Sequence, residues 1–151
     1  MQKETNQVAE ITISYRPAIS DKPPIKTPED AYKILKNFFP DDTIHLQERF
    51  VVMYLNRANK VIGVYPCSIG GITSTVVDVR LILSVALNTA ATGIVLAHNH
   101  ASGSLSPSTK DISLTNKIKE AANIMDIKVN DHIIISSEAD KYFSFAEDGI
   151  I

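Results

Sequence analysis

The sequence predicts one layered α/β domain. Short apolar runs of strand length alternate along the chain with longer segments whose apolar residues recur at helical spacing. The length of 151 residues is that of a single domain with at most a short tail. Hydrophobic residues make up 44% of the chain and charged residues 21%, so the chain can bury a sizeable core.

The first 26 residues are predicted to form a strand followed by an extended arm. Ile11, Ile13 and Tyr15 alternate with polar residues, as in a strand with one buried face. Three prolines follow, and proline favours an extended connector. We therefore divide the chain into this arm, residues 1–26, and a domain that covers residues 27–151.

The domain is predicted to open with a helix and a hairpin. A hydroxyl residue, Thr27, followed by Pro28 and two acidic residues is typical of a helix start. Apolar residues at helical spacing continue this helix as far as Pro40, which ends it. Residues 50–55 and 61–65 are apolar runs on either side of a polar turn, which predicts a β-hairpin.

Helices and strands alternate in the second half of the chain. Residues 76–91, rich in leucine and alanine, predict a second helix that Gly93 closes. Residues 94–97 predict a buried strand that ends in two histidines. Residues 129–135 and 142–145 predict two closing strands.

A third helix is predicted over residues 107–127. Ser106 is its expected N-cap, and a proline occupies its first position. Its apolar residues step by four, three and four positions, so one face of the helix is expected to be buried. The predicted stripe consists of Leu114, Ile118, Ala121 and Met125.

Charge and cysteine content exclude several classes of protein. The net charge of −2 and the pI near 6.1 give no global basic field, so nucleic acid is not the expected partner. Cys67 is the single cysteine and cannot form an internal disulfide, which favours a reducing compartment. No apolar signal segment opens the chain, and no run of about 18 apolar residues occurs, so we expect a cytoplasmic protein without a membrane span.

The candidate chemistry lies where the predicted strand 94–97 ends. His98 and His100 are two residues apart, so their side chains point to one face of the strand. Such a pair alone is more often structural than metal-binding. Asp111 lies on the inward face of the third helix, where an ionised carboxylate is costly unless it is paired or binds a metal. Two imidazoles and one carboxylate leave a fourth position open, which is typical of catalytic zinc.

Ser108 adds a hydroxyl to this group, one helical turn before Asp111, although an ordinary first-turn serine has the same position. The spacing His98-x-His100-x7-Ser108-x2-Asp111 resembles the JAMM motif of the JAB/MPN metalloprotease superfamily. The segments LAHNHASGSLSPSTKD and DHIII resemble the JAB domain of the bacterial RadC family, and the resemblance spans about residues 27–148. It implies a cytidine-deaminase-like α/β fold, a curved mixed sheet with helices on both sides.

The resemblance also implies a function. It implies a zinc-dependent hydrolase of amide or isopeptide bonds, with one Zn²⁺ per chain on His98, His100 and Asp111, acting on a protein or peptide conjugate. Glu48, just before the strand 50–55, is expected to be the general base. Ser108 is expected to donate a hydrogen bond to the oxyanion.

Other residues of the motif region have structural interpretations. Asn99 and Ser102 are expected to shape the loop through hydrogen bonds to the backbone, and Gly103 permits the turn back to the helix. Asp131 and His132 belong to the family pattern and either support the metal site or pack within their strand. His45 and Cys67 have only a structural interpretation.

Four alternatives to a zinc hydrolase are considered. The letters His98-Asn99-His100 spell HNH, but the residues that name the HNH nucleases are dispersed, so this match is a coincidence. Two histidines and an acid also hold iron in oxygenases, although usually in the opposite order. A non-catalytic binding module is the third alternative, since some JAB/MPN domains have lost the ligands. The fourth is a role in DNA repair, weakened because residues 1–26 are too short for the helix-hairpin-helix region of longer RadC proteins.

Overall fold

A computed structural model of the protein describes residues 7–17, 22–71 and 75–151. Its strands form one five-stranded sheet in the order β2-β1-β3-β4-β5. The strands are β1 (Arg49–Leu55), β2 (Val61–Ile69), β3 (Gly93–His98), β4 (Lys128–Ile135) and β5 (Tyr142–Ser144). The helices are α1 (Pro28–Leu35), α2 (Val79–Asn88) and α3 (Thr109–Ile124), and a 3₁₀ turn (Lys36–Phe38) extends α1.

The sheet is mixed and is covered on both faces. Strand β1 pairs antiparallel with β2 and β3, β3 pairs parallel with β4, and β4 pairs antiparallel with β5. On one face α1 packs through Leu35 against Met53 and other apolar side chains of the sheet. On the other face α2 and α3 pack through Ile82 and Ile118 against Leu96. The predicted α/β class, with helices on both sides of a mixed sheet, is confirmed.

Local sequence signals determine where the helices begin. Thr27 caps α1 with a reciprocal pair of hydrogen bonds to Asp30, as its hydroxyl and the following proline predicted. Helix α2 begins at Val79 rather than at residue 76, because Asp78 accepts a hydrogen bond from the Arg80 amide and forms the N-cap.

Helix α3 begins two residues later than predicted. Its N-cap is Ser108, not Ser106, because only Ser108 exchanges hydrogen bonds with a residue of the first turn, Asp111. The amide of Ser106 instead donates to Ser104 within the preceding loop. The helix ends at Ile124, earlier than residue 127.

The buried stripe of α3 is also displaced from the predicted one. Thr115, Ile118 and Ala122 are buried, whereas Met125 is 48% exposed. The polar Thr115 therefore takes the inward position that hydropathy assigned to Leu114. Helix α2 ends at Asn88, and Gly93 does not close it but begins β3, where a β-carbon would lie 2.8 Å from the Asn130 side-chain nitrogen.

The predicted strand over residues 11–15 is wrong. Residues 8–17 have no regular secondary structure, and Ile11 and Ile13 are 87% and 71% exposed. An alternating segment becomes a strand only when a neighbour accepts its hydrogen bonds and covers its apolar face. Residues 1–6 and 18–21 of the predicted arm, and 72–74 after the hairpin, lie outside the described residues, so the boundary at residue 26 stays a prediction.

Candidate metal centre

The antiparallel register of β1 and β3 brings together residues that are distant in the sequence. Phe50 is paired with His98. Continuing this register by two residues brings Glu48 opposite His100, and the period of two in a strand directs all four side chains to the α3 face. The alternate residue of the loop, Asn99, points to the opposite face.

The third candidate ligand, Asp111, comes from the first turn of α3. The Ser108 amide donates to the Asp111 carboxylate at 2.7 Å, and the Ser108 hydroxyl accepts from the Asp111 amide at 3.1 Å. This capping box holds the carboxylate at the positive end of the helix, toward the end of β3.

Three ligand atoms converge at this point. His98 Nε2 lies 3.0 Å from His100 Nε2 and 3.2 Å from Asp111 Oδ1, and His100 Nε2 lies 2.9 Å from Asp111 Oδ2. Ligand atoms about 2.0–2.1 Å from a tetrahedral ion are about 3.3 Å apart. The donor atoms present therefore fit three corners of a tetrahedron around one ion.

The chemistry of the donor set agrees with its geometry. The Nδ1 atom of His100 lies 2.8 Å from the Ser104 carbonyl, which only accepts, so Nδ1 carries the hydrogen of the neutral ring. Its Nε2 lone pair then faces His98 Nε2 and the Asp111 carboxylate. Electron-rich atoms at such distances repel each other unless a proton or a cation lies between them. His98, His100 and Asp111 could therefore hold a metal ion.

The electrostatics of the site couple these groups. Burial acts to raise the pKa of Asp111, but the neighbouring His100 and His98 rings outweigh it and hold the pKa far below its usual value. The Asp111 carboxylate raises the pKa of His100, because it accepts a hydrogen bond from the protonated form of the ring. At Glu48, burial raises the carboxyl pKa, and the neighbouring His100 and His98 only partly oppose this shift.

Glu48 and Ser108 face the same cleft as the three ligand residues. The cleft has a volume of about 370 Å³, and all five residues line it. The Ser108 hydroxyl accepts a hydrogen bond from its own helix, which leaves its hydrogen available to donate. The structure therefore brings together every residue for which the sequence predicted a role in catalysis or metal binding.

A comparison with known protein families assigns the domain. The model of the family described as "RadC-like JAB domain" matches residues 25–150. This chain belongs to the RadC-like JAB domain family.

Curated relatives match most of this RadC-like JAB domain. The domain is similar to a "UPF0758 protein" of Flavobacterium johnsoniae, with 44% identity over 126 residues, which are 83% of this chain and 53% of the relative. A "UPF0758 protein" of Porphyromonas gingivalis is 40% identical over 121 residues, 80% of this chain and 52% of the relative. The chain thus spans about half the length of the curated relatives that it matches. No helix among the described residues is long and apolar enough to cross a membrane.

Asn99, which follows β3, is hydrogen-bonded to the backbone around Glu48, on the β1 side of the RadC-like site. It is fully buried, and its amide group donates to the carbonyls of Ile44 and Gln47 while accepting from the Arg49 amide. The last two bonds hold the backbone on either side of Glu48. Asn99 is hydrogen-bonded to backbone as predicted, but its partners lie before and at the start of β1 and not in its own loop, so its predicted role in shaping that loop is wrong.

The loop after the histidines is held by several further contacts. Gly103 has φ of 82°, the left-handed region that glycine adopts without strain, as its predicted role in the turn requires. The Ser102 hydroxyl accepts from the Ser104 amide. His45 donates from Nδ1 to the Ala101 carbonyl, a support that sequence reasoning missed.

Cys67 and Asp131 lie away from the cleft. Cys67 is half-buried among the apolar side chains of the α2 and α3 face and does not line the cleft. Asp131 accepts hydrogen bonds from the His132 and Ala146 amides and from the Ser144 hydroxyl, so it ties β4 to β5.

His132, in contrast, touches the metal site. Its Nε2 atom lies 2.7 Å from His98 Nδ1, and its Nδ1 atom lies 2.6 Å from the Thr115 hydroxyl. Its ring stacks on Phe145 with the centroids 4.5 Å apart. Burial lowers the pKa of His132 well below its usual value, so the ring is neutral. The sequence analysis did not predict a role for Thr115. The one feature that could have indicated it is a hydroxyl group one helical turn after Asp111.

Proposed function

We propose that this RadC-like JAB domain is a zinc-dependent hydrolase that cleaves amide or isopeptide bonds. The observation that carries the proposal is the convergence of three ligand atoms, from His98, His100 and Asp111, at the base of a cleft that Glu48 and Ser108 also line. Two imidazoles and one carboxylate leave a coordination position for a reactant, as in catalytic rather than structural zinc sites.

A bound zinc ion would supply a water of lowered pKa and would polarise the scissile carbonyl. Glu48 takes the proton from the attacking water and returns it to the leaving amine. Partial burial suits Glu48 to this task, because it raises the carboxyl pKa toward the range in which a group both accepts and returns a proton. Ser108 donates its free hydroxyl hydrogen to the developing negative charge on the carbonyl oxygen.

We further propose a protein or peptide conjugate as the substrate. The hydroxyl-bearing residues Ser102, Ser104 and Ser106 line the same cleft and offer hydrogen bonds to the amide groups of an extended chain. Nucleic acid is not favoured, because the net charge of −2 provides no basic surface field.

The first test is the metal content of the purified protein. We expect about one zinc per chain in the wild type and none in Asp111→Asn. Asp78→Asn is the matched control, because Asp78 is also an acidic residue at a helix start but is the N-cap of α2. Iron in place of zinc would favour the oxygenase alternative, and no metal after addition of zinc would refute the hydrolase.

The second test separates hydrolysis from metal binding. We expect Glu48→Gln to keep its zinc and to lose hydrolysis of a panel of fluorogenic peptide and isopeptide amides. If the variant hydrolyses these substrates as fast as the wild type, Glu48 is not the general base. If the zinc-loaded wild type hydrolyses none of them, the non-catalytic binding module replaces the proposal.

A further inference from the structure

A series of hydrogen bonds links the backbone of α3 to the Nδ1 atom of His98. The Thr115 hydroxyl lies 2.7 Å from the Asp111 carbonyl and 2.6 Å from His132 Nδ1, and His132 Nε2 lies 2.7 Å from His98 Nδ1. Thr115 and His132 are 1% and 0% exposed, so no water competes for these bonds.

The direction of these hydrogen bonds is determined at Thr115. Two oxygen atoms 2.7 Å apart need a hydrogen between them, and the Asp111 carbonyl has none to give. The single hydroxyl hydrogen of Thr115 therefore points at this carbonyl. Toward His132 the hydroxyl can only accept, so the hydrogen of the neutral His132 ring lies on Nδ1.

The position of the hydrogen on His132 determines the position of the hydrogen on His98. With its hydrogen on Nδ1, His132 presents a bare Nε2 to His98 and can only accept a bond from it. The hydrogen of the neutral His98 ring therefore lies on Nδ1, and its Nε2 lone pair faces His100 and Asp111.

We infer that Thr115, acting through His132, fixes the tautomer of His98 that can bind the metal. The inference rests on the proposed function and deepens it. Thr115 and His132 are positioning residues, since neither contacts the metal position. If the hydrogen bonds ran in the opposite direction, the hydrogen of His98 would lie on Nε2, where a metal ligand needs a lone pair.

The first experiment measures zinc affinity by competition with a chelator. Thr115→Val keeps the shape of the side chain but removes the acceptor of the His132 hydrogen, so we expect zinc affinity to fall by about 10- to 100-fold. Thr115→Ser retains the hydroxyl and is expected to restore affinity. The matched control is Thr89→Val, which removes a similar bond from a threonine hydroxyl to the carbonyl four residues earlier, in α2. We expect the affinity of this control to match that of the wild type.

The second experiment reads the tautomers directly by ¹⁵N NMR of the metal-free protein, above the pKa of His100. We expect hydrogen on Nδ1 of both His98 and His132 in the wild type, and a shift of His98 toward the Nε2–H form in Thr115→Val. This measurement needs no bound metal, so it decides the inference even if the wild type binds no zinc and the proposed function fails. Hydrogen on Nε2 of His98 in the wild type would overturn the inference, whether or not Thr115→Val folds. Affinity within twofold of the wild type in a folded Thr115→Val protein would also overturn it.

Discussion

Replacement of Asn99 by alanine is expected to destabilise the domain and to impair Glu48. The Asn99 side chain makes hydrogen bonds of 2.7, 3.0 and 2.8 Å to Ile44, Gln47 and Arg49, all to backbone groups. Because Asn99 is 0% exposed, alanine would leave a buried cavity in place of the amide group and would leave the three backbone groups without these partners.

The magnitude follows from the number of bonds. Each lost bond to a buried backbone group costs about 1–1.5 kcal/mol, so the three together cost about 3–4.5 kcal/mol. A domain of this size has a free energy of unfolding of about 5–15 kcal/mol, so Asn99→Ala is expected to stay folded at room temperature. Its melting temperature is expected to fall by about 10 °C.

The assay is urea unfolding of the wild type and the variant, with Asn88→Ala as the control. Asn88 also donates from its side chain to a backbone carbonyl, at 2.8 Å, but on the exposed surface of α2, so its replacement is expected to cost less than about 0.5 kcal/mol. A loss below about 1 kcal/mol for Asn99→Ala would refute the proposed bridge. We also expect Asn99→Ala to retain zinc, since the ligands lie on β3 and α3, while hydrolysis falls.

Three further predictions concern the ligand loop and helix α3. Ser108→Ala and Thr27→Ala each remove a capping box, so each is expected to lower the free energy of unfolding in urea by about 1 kcal/mol. Only Ser108→Ala is expected to lower the rate of hydrolysis, by about 10²- to 10³-fold. Equal rates for the two variants would exclude the oxyanion role of Ser108. The raised pKa of His100 predicts that zinc binding displaces a proton from this ring. The apparent zinc affinity is therefore expected to fall as the pH decreases through that pKa. An affinity that does not change with pH would contradict the coupling of His100 to Asp111. Gly103→Ala strains a left-handed residue and is expected to cost about 1–2 kcal/mol in thermal unfolding, and an unchanged melting temperature would show that the loop relaxes.

The proximity of the three candidate ligand residues could be predicted from the sequence because their geometry is local. A strand directs His98 and His100 to one face by its period of two, and a helix start brings Asp111 toward the same end. Helix boundaries were less accurate, because two serines, Ser106 and Ser108, are equally good N-caps by type. Only the hydrogen bonds with Asp111 distinguish them.

Thr115 could not be predicted, for a related reason. Hydropathy assigns the inward face of α3 to its apolar residues and so favours Leu114 over its polar neighbour. The polar residue is buried because its hydroxyl has partners in Asp111 and His132. The alternation at Ile11 and Ile13 failed in the opposite way, because these apolar side chains stay exposed and no strand of the described residues pairs with their segment.

The position of Glu48 predicts that zinc affinity and the proposed hydrolysis respond to different substitutions. Its position depends on the pairing of β1 with β3, which no local pattern specifies, and on Asn99, which holds the backbone on either side of it. The ligand set depends instead on β3, α3 and the buried contacts of His132. A change on the β1 side is therefore expected to reduce hydrolysis more than zinc affinity, whereas a change at Thr115 acts on zinc affinity first.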